Sequence, residues 1–175
     1  MTLKIIGQGA LINLAKPKAE SNSRFFIREA TVEKLGIVKM VKIPDEVKKF
    51  LIGELAFVAT VDAEGKPNVS AKGSLRVLDD ESLLYNEEAG KKTYENLKKN
   101  SYIAVAVASR DKHDGYQIKG KAELLTEGPL YEEAVKRAEE YARSHGVKLP
   151  KPVAAVRIRA DEIYSLKPPL GYKIA

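Results

Sequence analysis

The sequence predicts a mainly β protein, in which about six antiparallel strands form a small barrel with helices at its periphery. Three observations lead to this prediction. Several short segments alternate between apolar and polar residues, as half-buried strands do. Turn sequences such as DAEGK and LDDES separate these segments by the short distances that hairpins need. Few segments show the three- to four-residue apolar spacing of helices.

The elements follow one another in a clear order from residue 40 onward. Three helices are predicted, each closed by Gly or Asn, and Pro with acidic residues opens the first and the third: IPDEVKKFLIG (43–53), KKTYENLKKN (91–100) and GPLYEEAVKRAEEYARSHG (128–146). The strands are expected at ELAFVATVD (54–62), PNVSAKGSLRVL (67–78), LLYN (83–86), YIAVAVAS (102–109), GYQIKGKAELL (115–125) and VAAVRIRADEIYSL (153–166). The second of these strands contains Gly73.

The chain has 175 residues, a length that suits one domain with an extension. Residues 1–39 have mixed patterning, whereas the patterning from Met40 onward is much more regular. We therefore expect an N-terminal extension over 1–39 and the barrel domain over 40–175. The role of the extension stays open.

The short helix carries cations where the other helices carry acids. It begins with Lys91 and Lys92, whereas Asp45 and Glu132 stand in the first turns of the other two. A helix N-terminus is partially positive, so paired lysines there are unfavourable unless an anion binds between them. Its free N–H groups and two ammonium groups would suit a phosphate dianion, and Thr93 could add a hydroxyl donor. The alternative is that both lysines are simply solvated.

A second polar feature lies on the predicted strand PNVSAKGSLRV. Strict alternation places Ser70 and Lys72 on one face of the strand, together with Ser74 and Arg76. If this strand pairs with LLYN, Lys72 comes close to the start of the lysine helix. Both features would then converge on one anion, and Gly73 would let a flat ligand approach the backbone.

Composition excludes several classes of site. There is no cysteine, and the two histidines, His113 and His145, are far apart, so no metal site is expected. No apolar run reaches the length of a membrane span, so no membrane partner is expected either. The net charge is +6, but lysines and acids are interleaved without a nucleic-acid motif, so we expect no nucleic-acid partner. The composition fits a cytoplasmic protein.

The order of these elements resembles that of the pyridoxamine 5′-phosphate oxidase-like, FMN-binding split-barrel proteins. The resemblance covers roughly residues 40–172, and its features are a D-x-x-G-x-P turn, a strand ending in Lys72, a D-D turn, a Gly-Lys-Lys helix start, Asn100 at the helix end, and G-Y-Q-I-K-G. It implies a six-stranded antiparallel split β-barrel. It also implies a homodimer that binds FMN at the subunit interface.

The resemblance also assigns roles to individual residues. Lys91 and Lys92 match positions that hold the FMN phosphate, and Gln117 matches one that reaches the flavin ring from the partner chain. The strand residues expected beside the flavin and at the border of its pocket are Val69, Ser70, Ala71, Lys72, Tyr85 and Asn86. No catalytic acid or base is identified.

The expected function is that of an FMN-binding flavoprotein, an oxidoreductase that transfers electrons or hydride to a small acceptor. Alternatives are a split-barrel reductase that uses a deazaflavin or a nicotinamide, and a non-catalytic flavin-binding or storage protein. Pyridoxamine phosphate itself is not favoured as substrate, because the chain has no tryptophan and ends in PPLGYKIA instead of the arginine- and tryptophan-bearing tail of that oxidase.

Overall fold

The computed structural model describes residues 40–167 and 172–175. The expected extension, residues 1–39, lies outside the described residues, and the boundary at residue 40 stays a prediction. The described part contains three helices: α1 (Asp45–Leu51), α2 (Lys92–Lys99) and α3 (Pro129–His145). Its strands are β1 (Ala56–Val61), β2 (Pro67–Lys72), β3 (Arg76–Val77), β4 (Ser82–Glu87), β5 (Tyr102–Ser109), β6 (Asp114–Leu125) and β7 (Ala154–Ser165).

All seven strands of the described part belong to one sheet, in the order β2-β1-β5-β6-β7-β4-β3. All six pairings are antiparallel, and three of them, β1–β2, β3–β4 and β5–β6, are hairpins. The two outermost strands, β2 and β3, are consecutive in the chain and are separated only by residues 73–75. So short a connection requires the sheet to curl until its two edges meet. The predicted antiparallel split barrel is therefore confirmed.

The seventh strand arises because the predicted continuous strand over 67–78 is wrong. The chain turns after Lys72, where the N–H of Leu75 donates to the carbonyl of Lys72 at 3.2 Å. Residues before the turn pair with β1, and residues after it pair with β4. Gly73 lies within this turn, where nothing lies within 4 Å of the position that a Cβ would take. The glycine therefore marks a break between two strands, not a bulge within one.

The main core fills the interior of the curled sheet. Its fully buried side chains come from alternate positions of the strands, as a sheet with one covered face requires. They include Val58, Val105, Ile118 and Ile158, all 0% exposed. Helix α1 closes the core with Val47 and Leu51, which are also buried.

Helix α3 covers the opposite face of β4 and β7. Ala134 packs there against Leu84 and Ala155 in a second small cluster, so β4 is buried on both faces. The helix ends at Gly146, which adopts the left-handed conformation expected of a glycine C-cap. Ala134 and Ala138 are the buried residues of this helix, whereas Tyr141 near its C-terminal end is 52% exposed.

Candidate functional site

The two edges of the sheet meet along a line of polar side chains that follows β2 and the C-terminal end of β4. No ladder joins β2 to β4, and side-chain contacts span the gap instead. We call this junction the polar seam. Its side chains are Asn68, Lys72, Ser74, Asn86, Glu87 and Thr93.

The shortest contact of the polar seam is an ion pair between Lys72 and Glu87. The Lys72 Nζ lies 2.6 Å from the Oε2 of Glu87, and the two side chains are only 10% and 1% exposed. The same ammonium lies 4.9 Å from the centroid of the Tyr85 ring, within cation–π distance. The ammonium of Lys72 is thus held by an acid and an aromatic face from β4.

A second contact ties β2 to the start of helix α2. The Nδ2 of Asn68 donates to the hydroxyl of Thr93 at 3.1 Å. One turn further along the helix, the Nδ2 of Asn96 donates to the hydroxyl of Thr60 on β1 at 3.0 Å. Together these bonds fix the first two turns of α2 over β1 and β2. The Thr93 hydroxyl, predicted as an anion donor, accepts from Asn68 and retains its own O–H as a donor.

The start of helix α2 carries the paired lysines, as the sequence predicts. Lys91 is the N-cap, Lys92 is the first helical residue, and both are exposed. Lys91 provides no side-chain cap for the N–H groups of the first turn, and the nearest acid within the helix is Glu95. The first turns of α1 and α3 also hold acids, Asp45 and Glu132 among them, so it is the lysine pair that sets α2 apart. A basic, uncapped helix start is suited to an anion.

Asn86 connects the polar seam to helix α3 and is 3% exposed. Its Nδ2 donates to the carbonyl of Ala134 at 3.0 Å, and its Oδ1 accepts from Arg76 at 3.2 Å. Arg76 also lies 3.5 Å from Glu133. Burial lowers the pKa of the Arg76 guanidinium, and the charge of Glu133 opposes that effect. The side-chain oxygen and the side-chain nitrogen of Asn86 thus each have one partner within the protein.

Tyr85 points into the barrel core and is 0% exposed. Its hydroxyl is buried and has no hydrogen-bond partner within the described residues. Burial and the charge of Glu87 together raise the pKa of this phenol. Its neutral side chain therefore lies beneath Lys72, and the face of its ring contacts the ammonium group of that polar-seam residue.

The remaining predicted residues divide between the two faces of the sheet. Ser70 shares the half-buried face of β2 with Lys72, whereas Val69 and Ala71 point outward and are exposed. Gln117 lies in the same outward row as Ala71, separated from it by β1 and β5. Three strand spacings put them roughly 14 Å apart in one chain. A single chain therefore does not bring Gln117 to the polar seam.

A cavity of about 440 Å³ opens beside the polar seam, between the β2–β3 turn and helix α3. Its polar lining includes Ser74, Arg76, Asn86, Glu88 and Arg137. Burial raises the pKa of the Glu88 carboxyl, although Lys72 acts in the other direction. Sequence reasoning missed Glu88 and Arg137, because their proximity depends on how α3 lies over β4.

Two classes of site find no support in the described residues. No group of three or more His, Asp or Glu side chains there is arranged to hold a metal ion. No helix in the same ranges combines the length and the apolar composition that crossing a bilayer requires.

Comparisons with known proteins agree with this architecture. The family model for pyridoxamine 5′-phosphate oxidase matches residues 43–167, most of the chain. The chain belongs to the pyridoxamine 5′-phosphate oxidase family. The match includes the polar seam and the paired-lysine helix start. Its last residue is Lys167, where the described range 40–167 also ends. The family resemblance predicted from the sequence is thereby confirmed.

Individual relatives cover nearly the whole matched region. An uncharacterized protein of Methanocaldococcus jannaschii is 39% identical over 140 residues, which are 78% of this chain and 90% of that protein. The crystal structure of HupZ from Group A Streptococcus is 35% identical with a TM-score of 0.66, covering 76% of this chain and 99% of that one. An FMN-binding protein of Syntrophomonas wolfei shares the fold at 19% identity and a TM-score of 0.58, covering 79% and 95%.

Proposed function

We propose that this member of the pyridoxamine 5′-phosphate oxidase family binds FMN, with the flavin phosphate at the start of helix α2. The observation that carries the proposal is the pair of exposed lysines, Lys91 and Lys92, at a helix N-terminus without a side-chain cap. The partial charge of the helix end and two ammonium groups favour a doubly charged phosphate there. The FMN-binding protein of Syntrophomonas wolfei supports the proposal through its fold.

The residues of the polar seam fit a flavin beside that phosphate. Lys72 provides a cation, Ser70 provides a hydroxyl on the same half-buried face, and the backbone at Tyr85 and Asn86 borders the gap between the strands. Gly73 has no side chain and leaves open space above the turn. When bound, FMN would supply the redox chemistry, whereas these residues bind and orient it. We propose that the protein is an oxidoreductase acting on a small acceptor.

We further propose that the protein acts as a homodimer in which the outward faces of β1, β2 and β5 pack together. This face exposes large apolar side chains, with Val69 64%, Phe57 45% and Tyr102 57% exposed. An apolar patch of this kind on a soluble domain commonly marks a protein interface. A partner chain would also supply Gln117 to the flavin, which one chain alone does not bring to the polar seam.

The test is to identify the ligand that the purified protein carries or accepts. We expect the absorption bands of an oxidised flavin in the isolated protein, or after addition of FMN and removal of the excess. Mass spectrometry of the ligand released by denaturation separates FMN from a deazaflavin or a nicotinamide. Isolation of a deazaflavin, together with failure to bind FMN, would show that the cofactor is a deazaflavin instead of FMN. Binding of neither would contradict the proposed function.

A further inference from the structure

We propose that Glu87 is an internal counter-ion of the anion site, which holds Lys72 until a phosphate-bearing ligand takes its place. The proposal rests on the proposed function and adds a residue that controls the affinity of the same site. Glu87 has no counterpart among the residues predicted from the sequence. It is identified only by its position in the polar seam.

The carboxylate of Glu87 is fixed at both oxygens. Its Oε1 accepts the backbone N–H groups of Ala89 and Gly90, both at 3.3 Å, and its Oε2 accepts from Lys72 at 2.6 Å. The side chain is 1% exposed. Glu87 therefore holds the turn that leads directly to Lys91, and it cannot move without releasing that turn.

Lys72 is the partner that can move. Its ammonium ends a flexible four-carbon chain, and besides Glu87 it contacts the face of the Tyr85 ring. The carboxylate of Glu87 lies between this ammonium and the N–H of Gly90. One of its oxygens accepts from Lys72, and the other accepts from Gly90, which directly precedes the helix start. The ammonium is thus close enough to exchange one acid for another with little movement of the backbone.

The ion pair opposes phosphate binding in two ways. The buried negative charge of Glu87 repels an incoming dianion at the helix start, and it also pairs with the ammonium of Lys72. Buried ion pairs add little to stability when compared with neutral residues of similar shape, and their best-attested use is in specificity and switching. A phosphate that accepts from Lys72 would therefore gain a charged hydrogen bond, but Lys72 would lose the hydrogen bond that it donates to Glu87.

Replacement of Glu87 by glutamine isolates this effect. In E87Q the amide oxygen can still accept from Ala89 and Gly90, so the turn is retained, whereas the charge opposite Lys72 is lost. We expect E87Q to bind FMN roughly tenfold more tightly in isothermal titration calorimetry. Riboflavin, which has no phosphate, should bind both proteins equally. Glu95→Gln, which removes an exposed carboxylate from the same helix, serves as the control and should change FMN affinity by less than about twofold.

A second variant tests whether the gain passes through Lys72. The double variant K72M/E87Q removes both buried charges, so no unpaired charge is left in the protein and it should fold. We expect most of the tenfold gain to disappear there. Weaker FMN binding by E87Q, an equal change for riboflavin, or a gain that persists without Lys72 would each overturn the inference while leaving FMN binding intact. Failure of the unchanged chain to bind FMN would instead overturn the proposed function, and the inference with it.

Discussion

Ser74 lies directly opposite Asn86, in continuation of the register that pairs β3 with β4. The hydroxyl of Ser74 accepts the backbone N–H of Asn86 at 3.0 Å, where a paired strand would present a carbonyl. A side chain therefore continues the ladder across the turn that divides β2 from β3. This substitution of side chain for backbone keeps the two edges of the sheet together while leaving a gap between them.

Ser74→Ala should destabilise the protein by about 1–3 kcal/mol, because it leaves the buried N–H of Asn86 without an acceptor. The free energy of unfolding from urea denaturation measures the effect. Ser70→Ala is the matched control, since the Ser70 hydroxyl makes only a 3.4 Å contact with the carbonyl of Ala71 at an exposed site. Equal losses for the two variants would contradict a special role of Ser74.

Gly120→Ala should be among the most damaging single changes in the barrel. A Cβ at Gly120 would lie 2.1 Å from the backbone carbonyl oxygen of Arg159, at the register shift between β6 and β7. Backbone cannot yield as a side chain can, so we expect a loss of about 1–3 kcal/mol or more. Gly73→Ala has open space around the new Cβ and should leave the thermal midpoint nearly unchanged. A tolerated Gly120→Ala would show that the strands approach less closely.

Asp161→Asn should stabilise the protein at neutral pH. Burial raises the pKa of Asp161 above its ordinary 3.8, with Lys121 acting against the rise, and its Oδ1 has no hydrogen-bond partner in the described part of the chain. Because the folded state binds this proton more tightly, the free energy of unfolding falls as pH rises from the ordinary pKa through the raised one. Asparagine carries no such penalty.

The stabilisation by Asp161→Asn should therefore shrink as the pH is lowered towards 3.8. Urea denaturation at a series of pH values checks this, with the exposed Asp111→Asn as the reference. A gain in stability that is independent of pH would contradict the account of a buried, costly charge.

Val69→Lys should disrupt the proposed homodimer without unfolding the barrel, because Val69 is 64% exposed within one chain. A charge at the centre of an apolar interface loses its hydration without gaining a partner. Sedimentation velocity should show a monomer for this variant and a dimer for the unchanged protein. Ile52→Lys, at a position 77% exposed beside α1, serves as the control and should remain dimeric. A monomeric unchanged protein would contradict the homodimer.

Much of the fold follows from local patterning. Turn sequences and alternation locate six strand segments, and the start of α2 is placed correctly at Lys91 because Gly90 and the following apolar spacing mark it. The division of the segment 67–78 could not be predicted in the same way. Its alternation continues through Gly73, and only the pairing of each half with a different edge of the sheet shows that the chain turns there.

The candidate site is predictable only in part. The lysines of α2 violate a rule of helix electrostatics, so the sequence alone makes them conspicuous. Glu87 violates no rule, and its importance arises from a contact between β2, at one edge of the sheet, and β4, next to the other edge. The orientation of Tyr85 is likewise a property of the assembled core, since alternation does not reveal that β4 is covered on both faces.

The most direct test of the central claim compares FMN binding by two double variants of helix α2. Lys91→Ala with Lys92→Ala removes the pair at its start, and Lys98→Ala with Lys99→Ala removes an equal charge from its other end. Calorimetry should show FMN affinity reduced by about 2–3 kcal/mol, roughly 30- to 150-fold, only in the first variant. Equal affinities in the two variants would contradict a phosphate site at the start of this helix.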